Sequence, residues 1–208
     1  SVWSFTVNTQ NTPPSPFILI SPSDQSLMTS NNITFGWQSS SDSDINDSVS
    51  YQLHVDVGDS IHIFQTDDTT YVINNLFDNA IYHWHVLAID VNGGVTSNSE
   101  GQAMFIINEA NDAPSIVTLM APIEGSTQSD LTPNFSWTGS NDPDPLDVVS
   151  YNLSWWEPFS TDIQSINLDT SGFTPNGYLL DNAIYQWRVE AQDVQGATSY
   201  SDTAYFYT

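Results

Sequence analysis

The chain has 208 residues, of which 25 are acidic and one, Arg188, is basic, for a formal charge of −24. A surface of that sign repels nucleic acid and anionic lipid, so neither is expected as a partner. Cysteine is absent, which excludes a disulfide framework and thiolate chemistry, and no apolar run approaches the ~18 residues of a membrane span, so no membrane insertion is expected.

The acids are spread through a chain carrying 7 Trp, 9 Tyr and 10 Phe, which is the composition of a folded protein and not of an acidic tail. Self-repulsion at that charge disfavours a compact state unless cations screen or bind it. Near-absence of Lys and Arg also leaves trypsin-like proteases almost nothing to cut, which suits an exposed extracellular protein.

Residues 1–10 open on an apolar pattern, Val2, Trp3, Phe5 and Val7. Phe5-Thr6-Val7-Asn8 has a counterpart in Phe105-Ile106-Ile107-Asn108, and Asn11 through Pro14 in Asn111 through Pro114. This segment is expected to be the last strand of a preceding repeat, the chain being a slice of a longer array. The other reading is a donor strand docking on a neighbour, which would build a head-to-tail self-assembly.

The same offset of 100 then runs through the chain. Pro122 repeats Pro22, Phe135 repeats Phe35, Trp137 repeats Trp37, and Val149-Ser150-Tyr151 repeats Val49-Ser50-Tyr51. After a three-residue insertion, Asp181-Asn182-Ala183-Ile184-Tyr185 with Trp187 repeats Asp78-Asn79-Ala80-Ile81-Tyr82 with Trp84. A period this long is a whole domain, not a solenoid unit of ~20–50 residues. We therefore expect repeat 1 at residues 11–108 and repeat 2 at residues 109–208, with neighbouring repeats of the same protein as partners.

Within each repeat the apolar residues alternate. Ile33, Phe35 and Trp37 share one face, as do Tyr51, Leu53 and Val55, and then Tyr82, Trp84, Val86 and Ala88. Phe135/Trp137, Tyr151/Leu153/Trp155 and Tyr185/Trp187/Val189/Ala191 follow in the second repeat. Short alternating runs separated by Asn, Asp, Gly and Pro predict an all-β sandwich.

The run Leu76…Ala80-Ile81-Tyr82-His83-Trp84-His85-Val86-Leu87-Ala88-Ile89-Asp90…Gly93, closed by Phe105, resembles the second half of fibronectin type III domains. Leu180…Tyr185-Gln186-Trp187-Arg188-Val189-Glu190-Ala191-Gln192-Asp193…Gly196, closed by Phe206, repeats it. The resemblance covers nearly the whole chain and implies two tandem seven-strand, two-sheet sandwiches. It implies no activity.

Between the second and third strands of each repeat, Asp42, Asp44 and Asp47 recur as Asp142, Asp144 and Asp147. Carboxylates so close repel one another, and a turn needs only one. Hard oxygen ligands in a short loop suit Ca²⁺, which takes ~6–8 oxygens, so further contributors are required. The type III arrangement implies that Asp90 and Asp193, each following a later strand, lie at the same pole as these loops.

The connector Asn108-Glu109-Ala110-Asn111-Asp112 resembles the Asx-rich linkers of cadherin-type repeats, where Ca²⁺ stiffens the joint, although the strands do not follow the cadherin pattern. Glu109, Asn111 and Asp112 therefore join the expected calcium set of repeat 2. Repeat 1 has Gln10 and Asn11 in place of acids, so its site is expected to be the weaker. The competing reading is plain solvated Asx turns. Neither loop is an EF-hand, because the Gly and the terminal Glu are missing.

Trp156 is expected to point outward if Trp155 points inward, with Phe159 nearby. Such aromatics either pack on a neighbouring domain or stack on a polysaccharide. His54, His83 and His85 share an outward face, a pattern able to hold Zn²⁺ or Cu²⁺, but the second repeat has Gln186 and Arg188 where the first has His83 and His85. Dispersed surface histidines are the expectation taken. No nucleophile elbow, P-loop or H-E-x-x-H is present, so no enzyme activity is expected. The sequence thus points to a non-enzymatic extracellular or cell-surface protein, a stalk, adhesin arm or filament shaft with calcium-stiffened joints. A carbohydrate-binding module is the alternative.

Overall fold

The computed structural model describes residues 10–208. The expected strand over residues 1–8 lies outside the described residues. The chain divides into two compact units between Ala110 and Asn111, two residues past the expected boundary, and the described residues form strands and turns with no helix.

In the first unit, β1 (Leu19–Ser21), β3 (Ile33–Trp37) and β6 (Thr70–Ile73) form an antiparallel sheet in the order β1-β3-β6. The facing sheet has the order β2-β9-β7-β4-β5, from β2 (Ser26–Met28), β4 (Val49–Val57), β5 (Ser60–Thr66), β7 (Ala80–Asp90) and β9 (Ala103–Ile107). β8 (Val95–Ser97) pairs with β7 on the edge that β9 continues, so β8 and β9 are one interrupted strand. β1 and β2 are likewise one chain segment that changes sheets around the cis Ser21–Pro22 bond. Seven strands in two sheets result, as the resemblance implies.

The second unit repeats the plan. β10 (Leu119–Ala121), β11 (Phe135–Trp137) and β14 (Gly172–Phe173) form one sheet. β13 (Gln164–Leu168), β12 (Ser150–Trp156), β15 (Ile184–Gln192) and the interrupted last strand, β16 (Thr198–Tyr200) with β17 (Ala204–Tyr207), form the other.

Alternation decides what is buried, because successive side chains on a strand point to opposite faces. Phe35 meets Trp84 edge-to-face at 5.1 Å, and Phe135 meets Trp187 at 5.2 Å, which joins the two sheets of each domain. Trp84 and Trp187 are both 0% exposed. Every inward residue expected from the sequence is buried except Trp155, which is half-buried and packs against Phe135 and Phe173. Phe173 stands on the very short strand β14, so this corner of the second core is less fully closed.

Candidate functional site

Each pole built by the β3–β4 or β11–β12 loop collects carboxylates. In the second domain, one oxygen from each of Asp142, Asp144 and Asp147 lies within 4.8 Å of the others. The loop is held by local bonds: the Asp144 N–H donates to Asp142 Oδ1 at 2.9 Å, and the Asp147 N–H donates to the Asp144 carbonyl at 3.2 Å. Leu146 at φ 74° lets the chain reverse between them.

Asp144 is only 2% exposed. Its Oδ2 accepts the Asp112 N–H at 2.9 Å, while its Oδ1 is shut from solvent with no hydrogen-bond partner. Asp142 Oδ2 is in the same condition. Burial raises the Asp142 carboxyl above the ordinary aspartate range, and repulsion from Asp144, Asp193 and Asp147 adds to it against the Asp144 N–H bond.

Asp193, after β15, plays a different part. Its Oδ1 accepts the N–H groups of Gln195, Gly196 and Ala197, and its Oδ2 accepts Asn111 Nδ2 at 3.0 Å. Burial opposes its ionisation, but the bonds from Asn111, Gly196, Ala197 and Gln195 outweigh it and lower its pKa. Asp193 therefore keeps its charge to lower pH than an ordinary aspartate, and it ties the segment leading into the domain to the turn after β15. Asn111 and Asp112, expected at the pole from sequence, are there, bonded to Asp193 and Asp144.

The first domain has a similar arrangement, in which Asp42 Oδ2 and Asp47 Oδ1 are the oxygens shut from solvent without a partner, and Asp90 takes the place of Asp44 in the close cluster. Oxygens of Asp42, Asp47 and Asp90 come within 4.8 Å of one another, and Asp90 accepts Asn11 Nδ2, Asn92 N–H and Gly94 N–H at 2.8–2.9 Å. Asp44, however, is occupied: its Oδ2 accepts the Thr12 N–H at 2.8 Å and its Oδ1 accepts the Thr12 hydroxyl at 3.4 Å. Thr12 stands where the second repeat has Asp112, so a hydroxyl donor takes up the oxygen left bare in Asp144. Thr12 and the side chains that link two loops within each pole (Asn92 to Asp47, Gln195 to Asp147) were not singled out in the sequence. The Asp-x-Asn-Gly and Asp-x-x-Gly turns after β7 and β15 were the signal available for the bridging pair.

Glu109 belongs to the first unit, where its carboxylate accepts Asn31 N–H and Asn31 Nδ2 at 3.1 and 3.2 Å and its own N–H donates to Asp78. Among the described residues no other group of three or more His or acidic side chains comes as close as the two carboxylate clusters.

Two of the four histidines come together. His54 and His85, opposite one another on β4 and β7, stack with ring centroids 4.5 Å apart. Burial lowers the His85 pKa, repulsion from His54 adds to this, and Asp56 opposes it. A folded-state pKa below the ordinary ~6.5 means the unfolded chain takes the proton first. The first domain is therefore expected to lose stability as pH falls from about 6.5. Urea unfolding of wild type and His85→Gln at stepped pH checks this, with the variant showing the flatter profile.

Trp156 is half-buried, its Nε1–H donating to Gln186 Oε1 at 3.0 Å. Phe159 projects fully into solvent at φ 67°. Trp156 borders a hollow shared with Tyr178, and Phe159 is not among the residues that line it.

No helix among the described residues is long and apolar enough to cross a membrane. No family model matches the chain, and no curated protein matches it. Among solved structures it is similar to the crystal structure of the chicken CNTN1 FN1-FN3 domains, at 12% identity and a TM-score of 0.48. That match covers 94% of this chain, which spans 65% of the other.

Proposed function

We propose that this chain is a structural or adhesive spacer of an extracellular surface or fibre protein, non-enzymatic, whose domain poles bind Ca²⁺. One observation carries the reading: Asp144 is a buried carboxylate with a bare oxygen, set among Asp142 and Asp147 in a chain whose one basic residue is Arg188. An anion withdrawn from water and left unpaired is costly. A bound hard cation removes that cost, and carboxylates are the ligands calcium takes.

In the second domain Asp142, Asp144 and Asp147 would hold the ion, with water completing its shell. In the first, Asp42, Asp47 and Asp90 would do so more weakly, since Thr12 already satisfies Asp44 and brings no charge. Extracellular calcium modules work at dissociation constants of about 10⁻⁴–10⁻³ M, and an affinity in that range is expected.

The link to mechanics runs through the lead-in segment. Asp112 is bonded to Asp144, and Asn111 to the neighbouring Asp193, so neutralising the cluster secures the chain where it enters the domain. Small-angle scattering tests this part. Calcium is expected to narrow the distribution of interdomain distances and chelation to broaden it. Identical profiles in the two conditions would remove the stiffening role.

A further inference from the structure

We propose that the second domain carries a binding site for a neutral saccharide, in the hollow at the far end of β12 from the acidic cluster. This goes beyond the calcium reading and is independent of it. The hollow has a volume of about 540 Å³ and is lined by Trp155, Trp156, Glu157, Asp162, Asn176 and Tyr178 among others. That is within the ~300–1,000 Å³ of small-molecule sites.

Comparison of the two repeats shows that the hollow is an elaboration. At the same end of the first domain lies a hollow of about 180 Å³, lined by Val55, Phe64, Leu76, Phe77 and Tyr82 among others. There β4 and β5 are joined by residues 58–59 alone, and β6 and β7 by residues 74–79. In the second domain pairing stops earlier, leaving residues 157–163 and 174–183 outside strands; by register the first connection is two residues longer than its counterpart and the second, up to Asp181, one residue longer. Both connections feed the same hollow, and they bring Glu157, Asp162, Asn176 and Tyr178 to it. Folding alone does not require this, since the first domain closes without it.

The chemistry of the lining selects the ligand class. Trp156 is fixed by its bond to Gln186, and Tyr178 is 82% exposed, so aromatic surface remains available at the rim. Sugar rings offer C–H faces that pack on aromatic rings, and hydroxyls that donate to carboxylates and amides. Glu157, Asp162 and Asn176 supply those acceptors beside the rings. No cation lines the hollow, so a phosphate, sulfated glycan or uronic acid would meet like charge and be rejected.

The test is tryptophan fluorescence and calorimetry with neutral hexaoses (cello-, laminari-, malto-, manno- and chito-series), in chelator and in calcium. At least one series is expected to bind saturably in both conditions. Trp156→Ala and Tyr178→Ala are each expected to weaken it roughly tenfold. Phe159→Ala, outside the hollow, is expected to leave it unchanged, and far-UV circular dichroism with thermal melts verifies that the variants fold. Silence across the panel would overturn the proposal, as would binding untouched by both hollow substitutions or preference for acidic peptides over sugars. Because the assay is run in chelator, its failure is separate from failure of the calcium reading.

Discussion

Calcium at a hundred times its dissociation constant is expected to stabilise the second domain by about 2.7 kcal/mol, and chelation to remove the gain. Asp144→Asn is expected to reverse the sign of this dependence. With chelator present the substitution removes a buried charge whose Oδ1 has no partner and lessens repulsion on Asp142, while an amide oxygen still accepts the Asp112 N–H. The variant is therefore expected to be more stable than wild type by about 1 kcal/mol without calcium. In saturating calcium it is expected to be the less stable protein, because a charged ligand is gone. Asp44→Asn is expected to show no crossover, since both of its oxygens already accept bonds from Thr12 and it is not among the clustered carboxylates of the first domain. Chemical unfolding of the three proteins in both conditions measures these differences. A variant less stable than wild type in chelator would contradict the claim that the carboxylate is uncompensated.

The largest effect on stability is expected from Trp187→Ala. Trp187 is 0% exposed, packs edge-to-face on Phe135, and sits at the centre of the second core. Truncating it leaves a cavity that surrounding strands close only in part, at a cost of about 3–5 kcal/mol. Its indole N–H has no hydrogen-bond partner, so Trp187→Phe loses packing but strands no acceptor and is expected to cost markedly less. The pair of substitutions separates volume from polarity. Equal losses for Ala and Phe would show that the nitrogen matters in a way the packing does not account for.

The cores were legible because strand alternation has period two and each domain says the same thing twice. Phe35/Trp37 and Phe135/Trp137 could be assigned inward from four residues of context. Trp155 was less legible: its burial depends on the corner formed with Phe173 on a two-residue strand, which no local pattern reports. At the poles, repetition exposed the Asp loops, and the resemblance to type III domains placed Asp90 and Asp193 with them. The division of labour was hidden. That Asp193 braces a turn while Asp144 stays bare follows from where backbone N–H groups point, and loop geometry decides that. Glu109 was grouped with its sequence neighbours Asn111 and Asp112, yet its carboxylate accepts from Asn31, 78 positions earlier in the chain. The hollow was missed because it arises where two connections meet beyond the early end of strand pairing, one of which carries Tyr178. Phe159, the more conspicuous aromatic in sequence, lies outside it.

The most direct test of the central claim is calorimetric titration of calcium into exhaustively chelated protein, beside Asp144→Asn. The account predicts two classes of site in wild type, the tighter one lost in the variant and the weaker one retained. Absence of saturable heat, or an isotherm that Asp144→Asn leaves intact, would contradict it and return the acidic poles to the role of solvated turns.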